Sequence, residues 1–273
     1  MRKNQIEIIY KDDDIIVINK PPGVSVTKDR SGEPQLIDYL GPQLGDELTT
    51  RLRLIHRLDK DTSGVMVLAR NRPAQKLFAG YFENRQVKKT YLALVKAVVR
   101  ANEGVIDTPI GRDRKNPELM RIDQRSGRES VTHWRLLADF GLVALLAVSP
   151  LTGRTHQIRV HLPSIGLRLA IDPMYGTSEP IMLSDFKKNY RLGRDHLEIP
   201  LIDRLTLHAY QIVIPDDTFV IPAEAGIHSH CFVAPLDKRF AATIKMLTKY
   251  NADGPAAFVN ADDFSRILDG KPF

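Results

Sequence analysis

The sequence predicts an α+β protein, and three observations carry that class. Short apolar runs bounded by turn residues recur along the chain, several of them in adjacent pairs, as strands do. Other stretches place their apolar residues at helical spacing. The chain has 273 residues, 43% hydrophobic and 26% charged, which suits a globular protein with a full core, as one large domain or two small ones.

Taken in order, Ile6 to Tyr10 alternates weakly, Lys11-Asp12-Asp13-Asp14 turns, and Ile15-Ile16-Val17-Ile18 follows as a buried strand. This reads as a β-hairpin closed by the extended loop Asn19-Lys20-Pro21-Pro22-Gly23. The acidic triplet lacks the spaced ligands of a calcium loop and reads as a solvated turn. Ser25-Val26-Thr27-Lys28 spells Ser-x-x-Lys, a hydrolase nucleophile pattern, but neither Lys-Thr-Gly nor Ser-Asp-Asn accompanies it.

The chain is organised around His56-Arg57-Leu58-Asp59-Lys60-Asp61-Thr62-Ser63-Gly64, which runs into the apolar Val65-Met66-Val67-Leu68-Ala69. A short apolar run closed by Arg70 predicts a strand buried on both faces. Asp59 then sits on a loop held by that strand, where catalytic groups are commonly mounted. A polar turn whose Asp bonds its own backbone suits the same residues. Asn71-Arg72-Pro73 supplies an N-cap and an early proline for a helix whose core stripe is Ala74, Leu77, Phe78, Tyr81 and Phe82. Val87 to Val95 reads as a strand, with Tyr91, Ala93 and Val95 on one face.

Gly111 to Arg128 carries Arg112, Arg114, Lys115, Arg121, Arg125 and Arg128 against Asp113, Glu118 and Asp123. Its basic excess and poor periodicity suit either a loop or hairpin that lies on phosphates or a solvated surface loop. Val131–Leu137 and Leu142–Val148 read as a strand pair. Ser149 to Leu162 reads as a further strand, with Gln157, Arg159 and His161 on one side and His156, Ile158 and Val160 on the other. An inward Arg159 needs an anion, and Asp59 is the candidate. Gly176 to Arg204 reads as an ordered surface insertion. Arg204–Ala209, Gln211–Ile214 and Phe232–Pro235 complete the sheet region. Phe240, Ile244 and Leu247 mark a helical face, and Asn260 caps a short helix holding Phe264, Ile267 and Leu268.

Several chemistries are excluded. There is no Gly-x-Gly-x-x-Gly, no Gly-x-x-x-x-Gly-Lys and no His-Glu-x-x-His. The single Cys231, expected as a small buried hydrophobe, rules out an intrachain disulfide and disfavours a zinc cluster. No apolar run is long enough for a membrane span, and no signal peptide is seen, so a reducing, cytoplasmic location is expected. A net charge of +6 makes a polyanion a plausible partner.

Four separated pieces then resemble one family, the RluA-type RNA pseudouridine synthases. They are Ile15-Ile-Val-Ile-Asn-Lys-Pro-Pro-Gly23, His56-Arg-Leu-Asp-Lys-Asp-Thr-Ser-Gly64, Lys89-Thr90-Tyr91 and Gly153-Arg-Thr-His-Gln-Ile-Arg-Val-His-Leu162, with weaker echoes at Arg204–Ala209 and Phe232–Pro235. The likeness runs from about Ile8 to Phe240. It implies a pseudouridine synthase catalytic fold, with a mixed, mainly antiparallel central sheet flanked by helices and loops. The expected organisation is one catalytic domain over residues 1–249 and an extension over 250–273 with a short helix.

The resemblance also implies roles. Asp59 matches the catalytic aspartate that attacks or deprotonates the target nucleoside, so that the base detaches, rotates and rejoins through carbon. Tyr91 matches a tyrosine packed against that base, and Arg159 the basic residue paired with the aspartate. Arg57 matches an arginine that fills the gap left by the flipped nucleotide, and Leu207 an apolar residue lining the pocket. The substrate implied is a uridine in structured RNA, a ribosomal or transfer RNA stem-loop. No metal, organic cofactor or membrane is implied, and a monomer is expected.

The pattern departs after Gly166, where the family has His-Pro and a Gly before Asp and this chain has Leu167, Arg168 and Ile171. An N-terminal RNA-binding module carried by many relatives is not expected. The rival readings are an inactive RNA-folding helper of the same fold and a hydrolase acting through Ser25 and Lys28.

Overall fold

The computed structural model describes residues 5–28, 32–191, 197–215, 229–251 and 254–273. In chain order the first half contains β1 (Glu7–Lys11), β2 (Ile15–Lys20), α1 (Leu36–Leu44), α2 (Asp46–Arg51), β3 (Arg53–Leu54), β4 (Ser63–Ala69), α3 (Arg72–Glu83), β5 (Lys88–Val95), β6 (Glu103–Asp107), β7 (Ile110–Arg112) and β8 (Met120–Ile122). The second half contains β9 (Val131–Asp139), β10 (Ala144–Pro150), α4 (Gln157–Ser164), β11 (Leu207–Pro215), β12 (Ser229–Val233), α5 (Lys238–Tyr250) and α6 (Ala261–Asp269). The α+β class expected from the sequence is the one observed. No helix among the described residues is long and apolar enough to cross a membrane.

Chain packing separates two compact units. One holds Met1–Thr90, Ala209–Pro235 and Pro272; the other holds Tyr91–His208, Leu236–Lys271 and Phe273. In the first, the sheet order is β1-β2-β4-β11, with β3 on β4 and β12 on β11. The expected hairpin forms: β1 and β2 pair antiparallel, and Asp12 Oδ1 closes the turn by accepting from the amides of Asp14 and Ile15 at 2.8 and 2.7 Å. Strand β4 is buried along its whole length, as its unbroken apolar run requires. It pairs antiparallel with β2, setting Gly64 opposite Lys20.

Gly64 answers a close backbone approach. Its φ is +118°, and a Cβ built there would lie 2.1 Å from the carbonyl oxygen of Ala209. Helix α3 begins as its sequence indicates, with the Asn71 side chain accepting from the Ala74 amide at 2.8 Å. Its stripe is shallower than expected. Ala74 and Tyr81 are buried, but Leu77 is 44% exposed. Helices α1 and α2 carry no clear signal in the sequence, since Gly41 and Pro42 interrupt the one periodic pair, Leu36 and Leu40. Cys231 is exposed on β12 rather than buried.

In the second unit the order is β5-β10-β9-β6, each neighbour antiparallel, and β7 pairs with β8 as a separate two-stranded ribbon. The helical face of α5 is as expected, with Phe240, Ile244 and Leu247 each no more than 2% exposed. Asn260 caps α6 by accepting from the Asp262 amide. The segment from Gly176 is held by a bridge between Ile181 and Ile202.

The further strand expected over Ser149–Leu162 is not formed: Ser149 and Pro150 end β10, and Gln157–Leu162 lie in helix α4, entered through His156 in the left-handed conformation at φ 54°. The alternation of Gln157, Ile158, Arg159, Val160 and His161 has period two only in polarity. All are buried, and the polar ones are hydrogen-bonded, so the pattern carries no record of a solvent face. Helical spacing puts Gln157 and His161 on one face, and both meet Thr132 Oγ1 at 2.9 Å.

Candidate active site

Arg57 and Asp59 belong to the first unit, on the loop joining β3 to β4. Both ends of the loop are fixed. Before it, the His56 ring stacks on Phe82 with centroids 4.6 Å apart, and its Nε2 accepts from the Val67 amide at 3.0 Å. That leaves the proton on Nδ1, so the ring is neutral. Burial, reinforced by the charge of Lys89, lowers the His56 pKa to about 3. After the loop, Thr62 and Ser63 are buried, and the Thr62 amide donates to the Asp59 carbonyl at 3.2 Å. Leu58 anchors the middle at 6% exposure, leaving Asp59 half-buried and Arg57 exposed.

A further clamp comes from Lys20, fully buried at the end of β2. Its Nζ donates to the carbonyls of Pro21 at 3.0 Å, Val24 at 2.8 Å and Lys60 at 2.8 Å. An ammonium has three protons, and these three carbonyls match them in number. The Lys60 carbonyl also accepts from the Gly23 amide at 3.0 Å. Thus the Asn-Lys-Pro-Pro-Gly loop and the Asp59 loop are tied through one cation and one shared carbonyl. Sequence reading placed Lys20 in a motif but gave it no task. A lysine ending a strand that opens with four apolar residues is the available signal.

Tyr91, Arg159 and Leu207 belong to the second unit. Tyr91 stands opposite Val148 in the β5–β10 ladder. Its side chain packs on an apolar cluster that includes Val148, Ile158, Leu162 and Leu207, the last 3% exposed. Tyr91 and Leu207 are therefore brought to one cluster. Arg159 projects from α4 and is 4% exposed. Its guanidinium makes a two-pronged pair with Asp172, Nε to Oδ2 at 2.9 Å and Nη2 to Oδ1 at 2.7 Å. The Tyr175 ring lies 5.2 Å from the guanidinium carbon. Neither Asp172 nor Tyr175 was foreseen. They sit just past the residues where the chain departs from its family, and Asp172-Pro173 at a loop start was the one local clue.

Helix α4 is itself locked. Gln157 Oε1 accepts from Thr152 Oγ1 and the Arg154 amide, while its Nε2 donates to the Val131 carbonyl and Thr132 Oγ1. His161 Nε2 faces the Thr108 carbonyl at 3.0 Å and must carry the proton, so Nδ1 accepts from Thr132 Oγ1. Burial holds the His161 pKa below its usual value.

The basic stretch forms the β7–β8 hairpin. Its acids shape their own turns: Asp113 Oδ1 accepts from the amides of Lys115 and Asn116, and Asp123 Oδ1 from those of Arg125 and Ser126. These bonds hold the Asp113 carboxyl below its ordinary range, and for Asp123 the Ser126 hydroxyl adds the largest share. Arg121 lies within 4.0 Å of Asp113 and 3.8 Å of Asp123. The other five basic residues of the stretch make no ion pair among the described residues. No group of His, Cys, Asp and Glu among the described residues is placed to hold a metal ion.

The family model described as RNA pseudouridylate synthase matches residues 14–164. A relative from Neisseria meningitidis serogroup B, named Ribosomal large subunit pseudouridine synthase D, is 32% identical over 278 residues, covering 95% of this chain and 70% of its own length. The protein named Uncharacterized RNA pseudouridine synthase YhcT, from Bacillus subtilis, is 36% identical over 184 residues, which is 65% of this chain and 60% of that protein. The chain spans about three fifths of the length of several curated relatives it matches. Among solved structures, Human RNA Pseudouridylate Synthase Domain Containing 4 superposes with a TM-score of 0.62 at 28% identity, covering 88% of this chain and 92% of that one. The matched model covers more than half of the chain and includes Asp59, Tyr91 and Arg159, and the chain belongs to the RNA pseudouridylate synthase family.

Proposed function

We propose that this chain isomerises a specific uridine in structured RNA to pseudouridine. The observation that carries the proposal is Asp59 on a rigid, half-buried loop, clamped by Lys20, inside the matched family region. In the reaction the N1–C1′ bond breaks and a C5–C1′ bond forms. The C5 proton leaves to solvent while N1 gains one, so atoms and charge balance without an oxidant. Asp59 attacks or deprotonates the nucleoside, and Arg159 pairs with the aspartate. Tyr91 packs on the target base, Leu207 lines the apolar wall and Arg57 fills the space the base vacates. Flipping costs about a few kcal/mol, and a replacement for the lost stacking offsets part of it.

A ribosomal target is favoured over a transfer RNA because relatives carry the name Ribosomal large subunit pseudouridine synthase D. The free cations of the β7–β8 hairpin suit phosphate contact. The reading includes action as a monomer in the cytoplasm, with no metal or organic cofactor. The hydrolase alternative loses support because the Ser25 hydroxyl donates to the Thr27 carbonyl at 2.7 Å.

The test is release of tritium from RNA labelled at uridine C5, using RNA from a strain lacking this protein. Asp59→Asn is expected to abolish release and Ser25→Ala to preserve it. Full activity in the Asp59 variant would end this reading, and no release by the unmodified protein on any RNA would favour the folding helper.

A further inference from the structure

We propose that Tyr175 is a positioning residue that sets the basic hairpin and the buried arginine of the site in one frame. This rests on the proposed function, because it gives Tyr175 a task in that reaction. The grounds are contacts that converge on one half-buried side chain. The Tyr175 hydroxyl accepts from the Met120 amide at 2.8 Å and makes a second hydrogen bond with His156 Nδ1 at 2.7 Å. Met120 opens β8 and stands opposite Arg112 across the hairpin. The phenol ring lies against the Arg159 guanidinium and meets the His156 ring edge-on, with centroids 5.4 Å apart at 77°.

The backbone of Tyr175 is fixed by the same carboxylate as Arg159. Asp172 Oδ1 accepts from Arg159 Nη2 at 2.7 Å, from the Met174 amide at 3.0 Å and from the Tyr175 amide at 3.2 Å. The loop closes on itself through Gly176 N to Asp172 O and Asp172 N to Thr177 O, both at 2.8 Å. Strands β7 and β8 are three residues each, too short to hold an orientation by their own ladder. A hydroxyl bonded to the first amide of β8 supplies an anchor, and it comes from the loop that also grips Arg159. His156 is the one side chain at this junction with a left-handed backbone, a strained state that persists where surroundings enforce it.

Two substitutions separate the two halves of this role. Tyr175→Phe keeps the ring against Arg159 and removes both hydroxyl bonds. Tyr175→Leu removes the ring as well. With the full chain and deletion-strain RNA tritiated at uridine C5, Tyr175→Phe is expected to raise KM about 3- to 10-fold and leave kcat within about twofold, the size of one or two lost hydrogen bonds. Tyr175→Leu is expected to show the same KM change and a further fall in kcat of about 5- to 30-fold, from loss of the ring–guanidinium contact. Amide exchange at Met120 is expected to speed up in both variants.

A wild-type KM in Tyr175→Phe, or unchanged exchange at Met120, overturns the inference. So does a fall in kcat for both variants that simply tracks a lowered melting temperature, because that is what a role in folding alone produces. An unmodified protein that forms no pseudouridine overturns the proposed function and this inference together, and is recognised by the inactivity of the parent chain.

Discussion

The sharpest expectation concerns Lys20→Met. Methionine keeps the length and the apolar stem of a fully buried side chain but removes three donors. The three carbonyls do not suffer equally. The Lys60 carbonyl retains the Gly23 amide at 3.0 Å, whereas those of Pro21 and Val24 lose the Nζ donor at 3.0 and 2.8 Å. Each buried acceptor left without a partner costs about 1–3 kcal/mol. Part of the loss is offset because the ammonium no longer has to be desolvated. The balance is a destabilisation of about 2–4 kcal/mol. Urea unfolding followed by circular dichroism should show a lower midpoint with an unchanged slope. Tritium release should fall by more than the folded fraction does, because the Asp59 loop loses one of its two ties at Lys60 while the rest of the sheet stands. A variant within about 0.5 kcal/mol of the parent that turns over at the parental rate refutes the reasoning, since surface changes have effects of that size.

Other expectations follow from single contacts. Gly64→Ala forces a Cβ to 2.1 Å from a backbone oxygen at φ +118°, so it should cost at least about 3 kcal/mol and yield little soluble protein. A melting temperature near that of the parent counts against the close approach. Asp172→Ala removes the two-pronged carboxylate partner of the buried Arg159 guanidinium and should destabilise by about 3–5 kcal/mol, measured by the same urea assay, whereas Asp172→Glu should recover part of the loss. The folded pKa of His56, about 3, lies below the ordinary histidine value of 6.5, so the unfolded chain takes up the extra proton in that window. Stability from this group is complete above 6.5 and is lost as pH falls toward 3, with a slope of at most about 1.4 kcal/mol per pH unit. His56→Gln should flatten that limb, leaving the shallower part due to His161, as measured by unfolding midpoints between pH 4 and 7. Lys89, lowered to about 8 by burial, should by the same sign make stability rise again with pH between 8 and 10.5.

Much of the fold was legible because its signals are local. The β1–β2 hairpin, the buried β4, the Asn71 cap of α3, the α5 stripe and the Asn260 cap all depend on residues within a turn or two of one another. The reading failed where burial removes the contrast between faces. Residues 157–162 are enclosed on every side, so polar and apolar letters alternate without marking solvent, and a helix passed for a strand. In α3 the converse holds: its helical stripe has the spacing of a core face, yet the molecule leaves Leu77 exposed.

For the site, the sequence by itself determined the family motifs, the loop that carries Asp59 and the strands that carry Tyr91 and Leu207, but not the helix that carries Arg159. Local order suffices for these, because spacing and turn chemistry select them before any long-range contact forms. Only the tertiary structure decided that Lys20 clamps that loop through three carbonyls, that Gly64 yields to the backbone of Ala209, and that Asp172 and Tyr175 hold Arg159. Each of these is a buried polar group or a close approach whose partner the chain supplies from a different segment. Desolvation makes such pairing obligatory, yet no local pattern states which partner will meet it.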